Sequence, residues 1–151
     1  MPARYSVTGA QGTTTATPGD STLGIGSGTD QRPSLYDWTS GFGGTPADNV
    51  IQVLLRKMTA LGTATGVTPV DIDEGGVASL TTCAEDHTVE PTYTAASELF
   101  DQLINQRATY RWVAAPGGEI VLPATAASGV GWTAFHASYT GSHEVSAHFI
   151  D

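Results

Sequence analysis

The sequence predicts a β-rich α+β fold: an antiparallel β-sandwich or barrel with two inserted helices, at about 46–61 and 95–105, and an extended N-terminal arm. Short alternating segments between Gly-rich turns predict the strands. Two longer segments carry apolar residues at helical spacing and predict the helices. The 151 residues suit a single domain, which we expect to span 32–151 after an arm formed by 1–31.

The arm is predicted from composition, since residues 8–31 are almost all Gly, Thr, Ser and Ala. Few of these side chains can anchor a segment in a core. A disordered tail is one interpretation, but we favour an arm held by a neighbouring subunit or by the domain's own sheet, with short strands at 4–7 and 22–25.

Gly24–Thr29 resembles a phosphate-binding loop only partly, because Thr29 replaces the required Gly and no helix or lysine follows. A flexible segment is the favoured interpretation.

The segment 34–39 predicts a strand with Leu35 and Asp37 on one face and Tyr36 and Trp38 on the other.

A helix is then predicted over 46–61. Its signals are an N-cap at Thr45, a proline and an aspartate in the first turn, a terminating glycine, and an apolar stripe. The stripe consists of Val50, Ile51, Leu54, Leu55, Met58 and Leu61, and we expect it to pack on a sheet.

Residues 62–86 are rich in Gly, Thr, Pro and Asp and predict a long loop with short strands at 66–70 and 77–82. Residues 87–93 should be extended, because a proline disfavours helix before it. The second helix, 95–105, is predicted from a stripe formed by Ala95, Ala96, Leu99, Phe100, Leu103 and Ile104.

The last third of the chain predicts strands. Residues 108–114 alternate, 116–118 are a Pro-Gly-Gly turn signal, and 119–122 should return as the second strand of a hairpin. Two further strands are predicted at 130–138 and 143–150.

Composition excludes several classes of protein. The net charge of −9 and the six cationic residues argue against nucleic acid or an anionic membrane as a partner. The lone Cys83 excludes a disulfide framework. No apolar run approaches the roughly 18–20 residues of a spanning helix, and the start lacks the apolar stretch of a signal peptide.

The histidines provide the first candidate chemistry. His143 and His148 are five residues apart and should lie on opposite faces of a strand. His136 and His148 could face each other across a hairpin and form a metal site with Glu144. Surface or edge histidines are the favoured interpretation, because metal sites also need supporting residues.

Asp71, Asp73 and Glu74 resemble the start of a calcium loop, but Gly75 and Thr82 stand where an EF-hand needs ligands. An aspartate-capped turn is the better prediction, although weak Ca²⁺ binding stays open.

Two other constellations fit a structural role better than a catalytic one. Cys83 could be a nucleophile beside His87, but a small, semi-buried cysteine is the default.

A cluster at 107–112 has aromatic and basic residues that could bind nucleic acid. The alternation instead predicts that Tyr110 and Trp112 lie in the core. Arg107 and Arg111 would then lie on the other face, in ion pairs or an interface. Trp38 and Trp132 are expected to be core or interface anchors. We therefore predict no catalytic residue, cofactor site or metal site.

Three stretches resemble a family of small virion structural proteins of tailed double-stranded DNA bacteriophages. They are YSVTGAQGTTTATPGD (5–20), FGGTPADNVIQVLLRKMTALGTATGVTPVDID (42–73), and HTVEPTYT (87–94) with NQRATYRWVAAPGGEIVLPATAASGVG (105–131). The resemblance implies a non-enzymatic capsid decoration (cement) protein on the outer surface of the virion. Its expected partners are the major capsid protein and copies of itself, as in a trimer. A neck or tail component and a carbohydrate- or calcium-binding adhesion module are the alternatives.

Overall fold

The computed structural model describes residues 2–12, 20–136 and 139–151. These residues form twelve β-strands and no helix, so none of them forms a helix that could span a membrane. The strands are β1 (Arg4–Gln11), β2 (Ser21–Gly26), β3 (Ser34–Phe42), β4 (Val50–Ala60), β5 (Thr63–Val67), β6 (Val70–Asp71), β7 (Thr82–Val89), β8 (Thr92–Asn105), β9 (Tyr110–Val113), β10 (Ile120–Val121), β11 (Gly129–Phe135) and β12 (His143–Ile150).

The strands form two six-stranded antiparallel sheets. The first sheet has the order β10-β3-β12-β1-β6, with β9 also paired to β3, and the second has the order β5-β7-β2-β11-β4-β8. The core lies between the sheets. Trp38 of the first sheet meets Trp132 of the second edge-on, with ring centroids 6.0 Å apart, and both side chains are buried. Of the two roles expected for these tryptophans, core or interface anchor, both take the core role.

The predicted α+β class is wrong, because the segment 46–61 is a strand rather than a helix. β4 pairs with β11 on one side and with β8 on the other. Ile51, Val53 and Leu55 alternate into the core, but Leu54 and Met58 are buried as well, outside that cluster. A strand with apolar residues on both faces loses its period of two and imitates a helical stripe.

The second predicted helix, 95–105, is also wrong, since this segment lies within β8 and pairs along β4 from Asn105 to Thr92. Leu103, which a helical stripe would bury, is 69% exposed. The pairing is interrupted where Arg56 lies opposite Glu98 and Met58 opposite Tyr93. The unpaired residues between them include Ala96, which has a positive φ of 50°. Non-local pairing therefore overrides the helix propensity of this segment.

The two short strands expected in the N-terminal arm are present, and they belong to the domain's own sheets, which is one of the two arrangements expected for the arm. β1 lies between β12 and β6, and β2 lies between β7 and β11. Tyr5, Val7, Leu23 and Ile25 are buried in the core, so 4–11 and 21–26 belong to the domain's own sheets. Of the segment 8–31, residues 13–19 lie outside the described part of the chain.

The glycines of β2 have a packing role that composition did not reveal. A Cβ on Gly24 would lie 2.8 Å from Leu61 Cδ2, and one on Gly26 would lie 3.0 Å from Leu61 Cδ1. A side chain at either position would therefore displace Leu61, which packs directly on the strand. Gly24 and Gly26 belong to a buried strand, so the prediction of a flexible segment is wrong for them.

Strands in the last third are confirmed, but their predicted partners are not. β9 and β10 do not pair with each other; both pair with β3, end to end along the same strand. β11 and β12 belong to different sheets. Residues 137–138, the end of the predicted strand 130–138, lie outside the described residues. Of the predicted strand 77–82, only Thr82 is in a strand, as the first residue of β7.

A β-bulge at Tyr36 changes the predicted faces of β3. His148 lies opposite Asp37, whereas Phe149 lies opposite Leu35, so Tyr36 is the extra residue. Leu35 and Trp38 consequently both belong to the core. Asp37 points to the other side of the sheet, where it meets charged partners.

Candidate interaction surface

His143 joins the two sheets through hydroxyl groups. Its Nδ1 lies 2.5 Å from Thr22 Oγ1 of β2, and its Nε2 lies 2.7 Å from Ser40 Oγ of β3. The Phe42 ring stacks on the imidazole at 5.1 Å. Burial lowers the pKa of His143 to about 3, so the ring is neutral at neutral pH. A neutral imidazole between two buried hydroxyls, without a carboxylate to orient it, is a structural contact rather than a catalytic triad.

His148 lies on the opposite face of β12, as predicted, and contacts the carboxylate of Asp37 at 3.2 Å. Arg111 donates two hydrogen bonds to the same carboxylate, at 3.0 and 2.6 Å. The hydrogen bond from Arg111 holds the pKa of Asp37 below its usual value. The predicted ion pair of Arg111 is confirmed.

The hairpin needed for a metal site at His136, His148 and Glu144 does not form, because β11 and β12 lie in different sheets. The described part of the chain contains no group of three or more His, Cys, Asp or Glu side chains that could hold a metal ion.

The aromatic residues of β9 pack against the core. Tyr110 lies 5.2 Å from Trp38, and Trp112 meets Phe100 edge-on at 5.3 Å. This confirms the predicted core role of the two aromatics. Arg107, in contrast, donates from Nε to the carbonyl oxygen of Pro46.

Cys83 and His87 have different partners. Cys83 is part of the core between the sheets, where burial raises the pKa of its thiol to about 12. His87 Nδ1 lies 2.9 Å from the carbonyl oxygen of Ser21. The thiol is therefore protonated and inert at neutral pH, as expected for a buried structural cysteine.

One polar cluster escaped sequence reasoning. Ser21 Oγ bonds to Glu90 Oε2 at 2.5 Å and to the Tyr93 hydroxyl at 2.7 Å, and the Arg56 guanidinium lies 3.7 Å from the centroid of the Tyr93 ring. Burial raises the pKa of Tyr93 to about 12. A Cβ on Gly131 would lie 2.5 Å from the Tyr93 hydroxyl, so Tyr93 packs directly on β11. The cluster thus links the start of β8 to β2 and β4 within the second sheet. No short-range spacing could reveal it, since Ser21 and Glu90 are 69 residues apart.

The most distinctive exposed feature is the segment 70–80, which we call the loop surface. Asp71 caps its turn: Oδ1 accepts from the Asp73 N–H at 3.0 Å, and Oδ2 accepts from the Gly76 N–H at 2.6 Å. Gly75 occupies the turn with a φ of +84°, a conformation that favours glycine. The predicted aspartate-capped turn is confirmed.

The rest of the fold holds both ends of this segment. Arg4 donates to both carboxylate oxygens of Asp73, which lowers the pKa of that carboxyl group. The Tyr5 hydroxyl donates to the Val77 carbonyl at 2.6 Å. Asp151 Oδ2 accepts from Ser79 Oγ at 2.7 Å and from the Leu80 N–H at 3.1 Å. The segment is thus pinned to β1 and to the end of β12.

Large apolar side chains nevertheless point outward from this pinned segment. Val77 is 76% exposed and Leu80 is 66% exposed, and Val70 and Ile72 are also exposed. A concavity of about 560 Å³ adjoins the turn and is lined by Pro2, Arg4, Asp73 and Ile150, among others. Exposed apolar side chains concentrated on a rigid support are typical of interaction sites.

Comparison of the chain with family models, with curated proteins and with solved structures finds no significant match. Its function therefore has to be inferred from its own residues and surfaces.

Proposed function

We propose that the chain is a structural protein of a tailed-phage virion, which decorates the outside of the capsid and attaches through the loop surface. Its partners are the major capsid protein and further copies of itself, and it strengthens the head by bridging capsid subunits. The observation that carries this proposal is the set of exposed apolar side chains on a segment that the fold already holds in place.

The physical basis is preorganised burial. Covering Val77 and Leu80 with a partner removes apolar surface from water, at about 25 cal/mol per Å². The hydrogen bonds from Tyr5 and to Asp151 fix the backbone before binding, so little conformational entropy is lost when the partner docks. Each contact is small, but an array of such contacts over a capsid is strengthened by multivalency.

Charge and sequence resemblance support the location. A chain with a net charge of −9 is repelled by packaged DNA and suits the exterior of a shell better than its lumen. The resemblance of 5–20, 42–73 and 87–131 to virion structural proteins favours the same assignment.

The proposal is tested with phage heads assembled without this chain, to which purified protein is added and its bound fraction measured by co-sedimentation. The double variant Val77→Ser/Leu80→Ser should bind roughly tenfold more weakly or worse, because its contact loses apolar area. The matched control, Leu103→Ser/Val113→Ser, removes apolar side chains of comparable exposure on β8 and β9 and should bind like the unmodified chain.

Three outcomes would contradict the proposal. Absence of binding to heads would remove the virion role, and equal weakening in both double variants would remove the loop surface as the attachment site. Copy number on native virions, counted by cryo-electron microscopy, separates positions on the particle: decoration requires on the order of hundreds of copies, whereas a ring of about a dozen subunits or fewer would place the protein in the neck or tail.

A further inference from the structure

One flank of the sandwich, where β9 and β10 face β4 and β8, contains a cleft. On this flank the first sheet ends in β9 and, further along β3, in β10, which pairs only two residues with β3. The facing strands of the second sheet, β4 and β8, have 11 and 14 residues. The cleft has a volume of about 410 Å³, which is within the usual volume range of small-molecule sites.

The part of this cleft that adjoins the core is apolar and forms its floor, while the hydroxyl-bearing Thr59, Thr94, Thr125 and Ser128 also line the cleft. Leu122 and Val130 are buried members of the core cluster, and Leu99 and Ile120 pack against that cluster. An apolar chain placed here would contact the core directly and would remove apolar surface from water. This removal contributes favourably to the free energy of binding.

The rim of the cleft is cationic in an acidic protein. Arg32 and Lys57 line the cleft, and no carboxylate does. Arg32 donates from Nε to the carbonyl oxygen of Leu122 at 3.4 Å. Within the described residues the ion pairs are made by Arg4, Arg111 and His148, so the charges of Arg32 and Lys57 are not neutralised there. Two of the six cationic residues of a chain with net charge −9 therefore line one cleft with an apolar floor.

We propose that this cleft binds an amphiphilic anion, an unbranched apolar chain with a single carboxylate head. The apolar chain lies between the sheets on Leu99, Leu122 and Val130, and the carboxylate is held by Arg32 and Lys57. An acidic peptide fits less well, because it would bring a backbone N–H and C=O with every residue into a floor of apolar side chains. This site is separate from the loop surface and does not depend on the virion role.

The test is isothermal titration calorimetry of the full chain with dodecanoate below its micellar concentration. Dodecanoate should bind at a single site, and dodecyltrimethylammonium, which has an alkyl chain of nearly the same length and the opposite charge, should bind roughly tenfold more weakly or worse. Arg32→Gln/Lys57→Gln should weaken dodecanoate binding to a similar degree. Arg107→Gln is the matched control, because Arg107 is a cation bonded to a backbone carbonyl outside the cleft, and it should leave the affinity unchanged.

A second variant guards against a folding artefact. Val121 lines the cleft and is about half exposed, so Val121→Glu should fold normally while placing a negative charge beside the bound head group and abolishing dodecanoate binding. Absence of saturable binding, equal binding of the cationic analogue, or unchanged affinity in Arg32→Gln/Lys57→Gln would overturn the proposal. Competition for the cleft by an acidic apolar peptide that binds more tightly than dodecanoate would overturn the assigned ligand class.

Discussion

Replacing His143 with glutamine should reduce the loss of stability that this protein shows in acid. His143 is fully buried, and its ring nitrogens face only the hydroxyl groups of Thr22 and Ser40. Protonation would place a positive charge between them with no carboxylate to compensate it. Burial therefore lowers the pKa to about 3 from the ordinary 6.5.

The sign and size of the effect follow from proton linkage. Between pH 6.5 and 3 the unfolded chain binds a proton at His143 that the folded chain does not bind, so stability falls as the pH is lowered through this window. Each pH unit costs about 1.4 kcal/mol, and at pH 4.5 the loss from this one group is about 3 kcal/mol. That is a large fraction of the roughly 5–15 kcal/mol by which proteins of this kind are stable.

The assay is urea denaturation at pH 7.5 and pH 4.5. The unmodified protein should lose about 3 kcal/mol more than His143→Gln between the two conditions, because glutamine can bond both hydroxyls but does not titrate. The carboxyl groups of Asp37 and Asp73, whose pKa values are also lowered, contribute to the acid loss in both proteins and cancel in the difference.

Val145→Ala is the matched control, since Val145 is buried on the same strand. It should lower stability by a similar amount at both pH values and leave the difference between them unchanged. If His143→Gln does not fold, His143→Leu provides the same comparison. Equal acid losses in the unmodified and non-titrating proteins would refute the assignment of acid sensitivity to this buried imidazole.

Three further predictions follow from the fold. Leu55→Ala should lower the free energy of unfolding by about 2–5 kcal/mol, measured by urea denaturation, because Leu55 is fully buried opposite Trp132; a loss below about 1 kcal/mol would contradict that packing. Deleting residues 1–26 removes β1 and β2 and should abolish cooperative thermal unfolding, whereas a normal melting transition would show that these residues are dispensable. At pH 8 Cys83 in the native protein should react with a thiol reagent roughly a thousandfold more slowly than in urea, because burial raises its pKa from 9.0 to about 12, and comparable rates would contradict its burial.

Several features could be predicted from sequence because their determinants are local. The strand β12 alternates cleanly, and its predicted bounds, 143–150, are those observed. The turn capped by Asp71 and the opposite faces of His143 and His148 depend on residues a few positions apart. Trp38 and Trp132 were expected to anchor either the core or an interface, and both are buried in the core, where large aromatic side chains contribute most.

The candidate sites were less accessible to sequence reasoning. The loop surface owes its rigidity to Arg4, Tyr5 and Asp151, which are distant in the chain from the segment they hold. The cleft proposed to bind an amphiphilic anion is lined by residues of four distant segments, and its two cations come from separate segments. Neither site has a sequence motif, because both are built from residues that only folding brings together.

The sequence by itself determined which segments are extended at the two ends of the chain, that Tyr110 and Trp112 pack on the core, and that the protein is acidic. Only the tertiary structure decided that 50–60 and 92–105 are strands, that 4–11 and 21–26 are central to the sheets, and that β9 and β10 share one partner. The physical reason is that the backbone hydrogen bonds of a sheet join residues far apart in the chain. A strand covered on both faces has no alternation to reveal it, so its apolar residues fit a helix equally well until its neighbours are known.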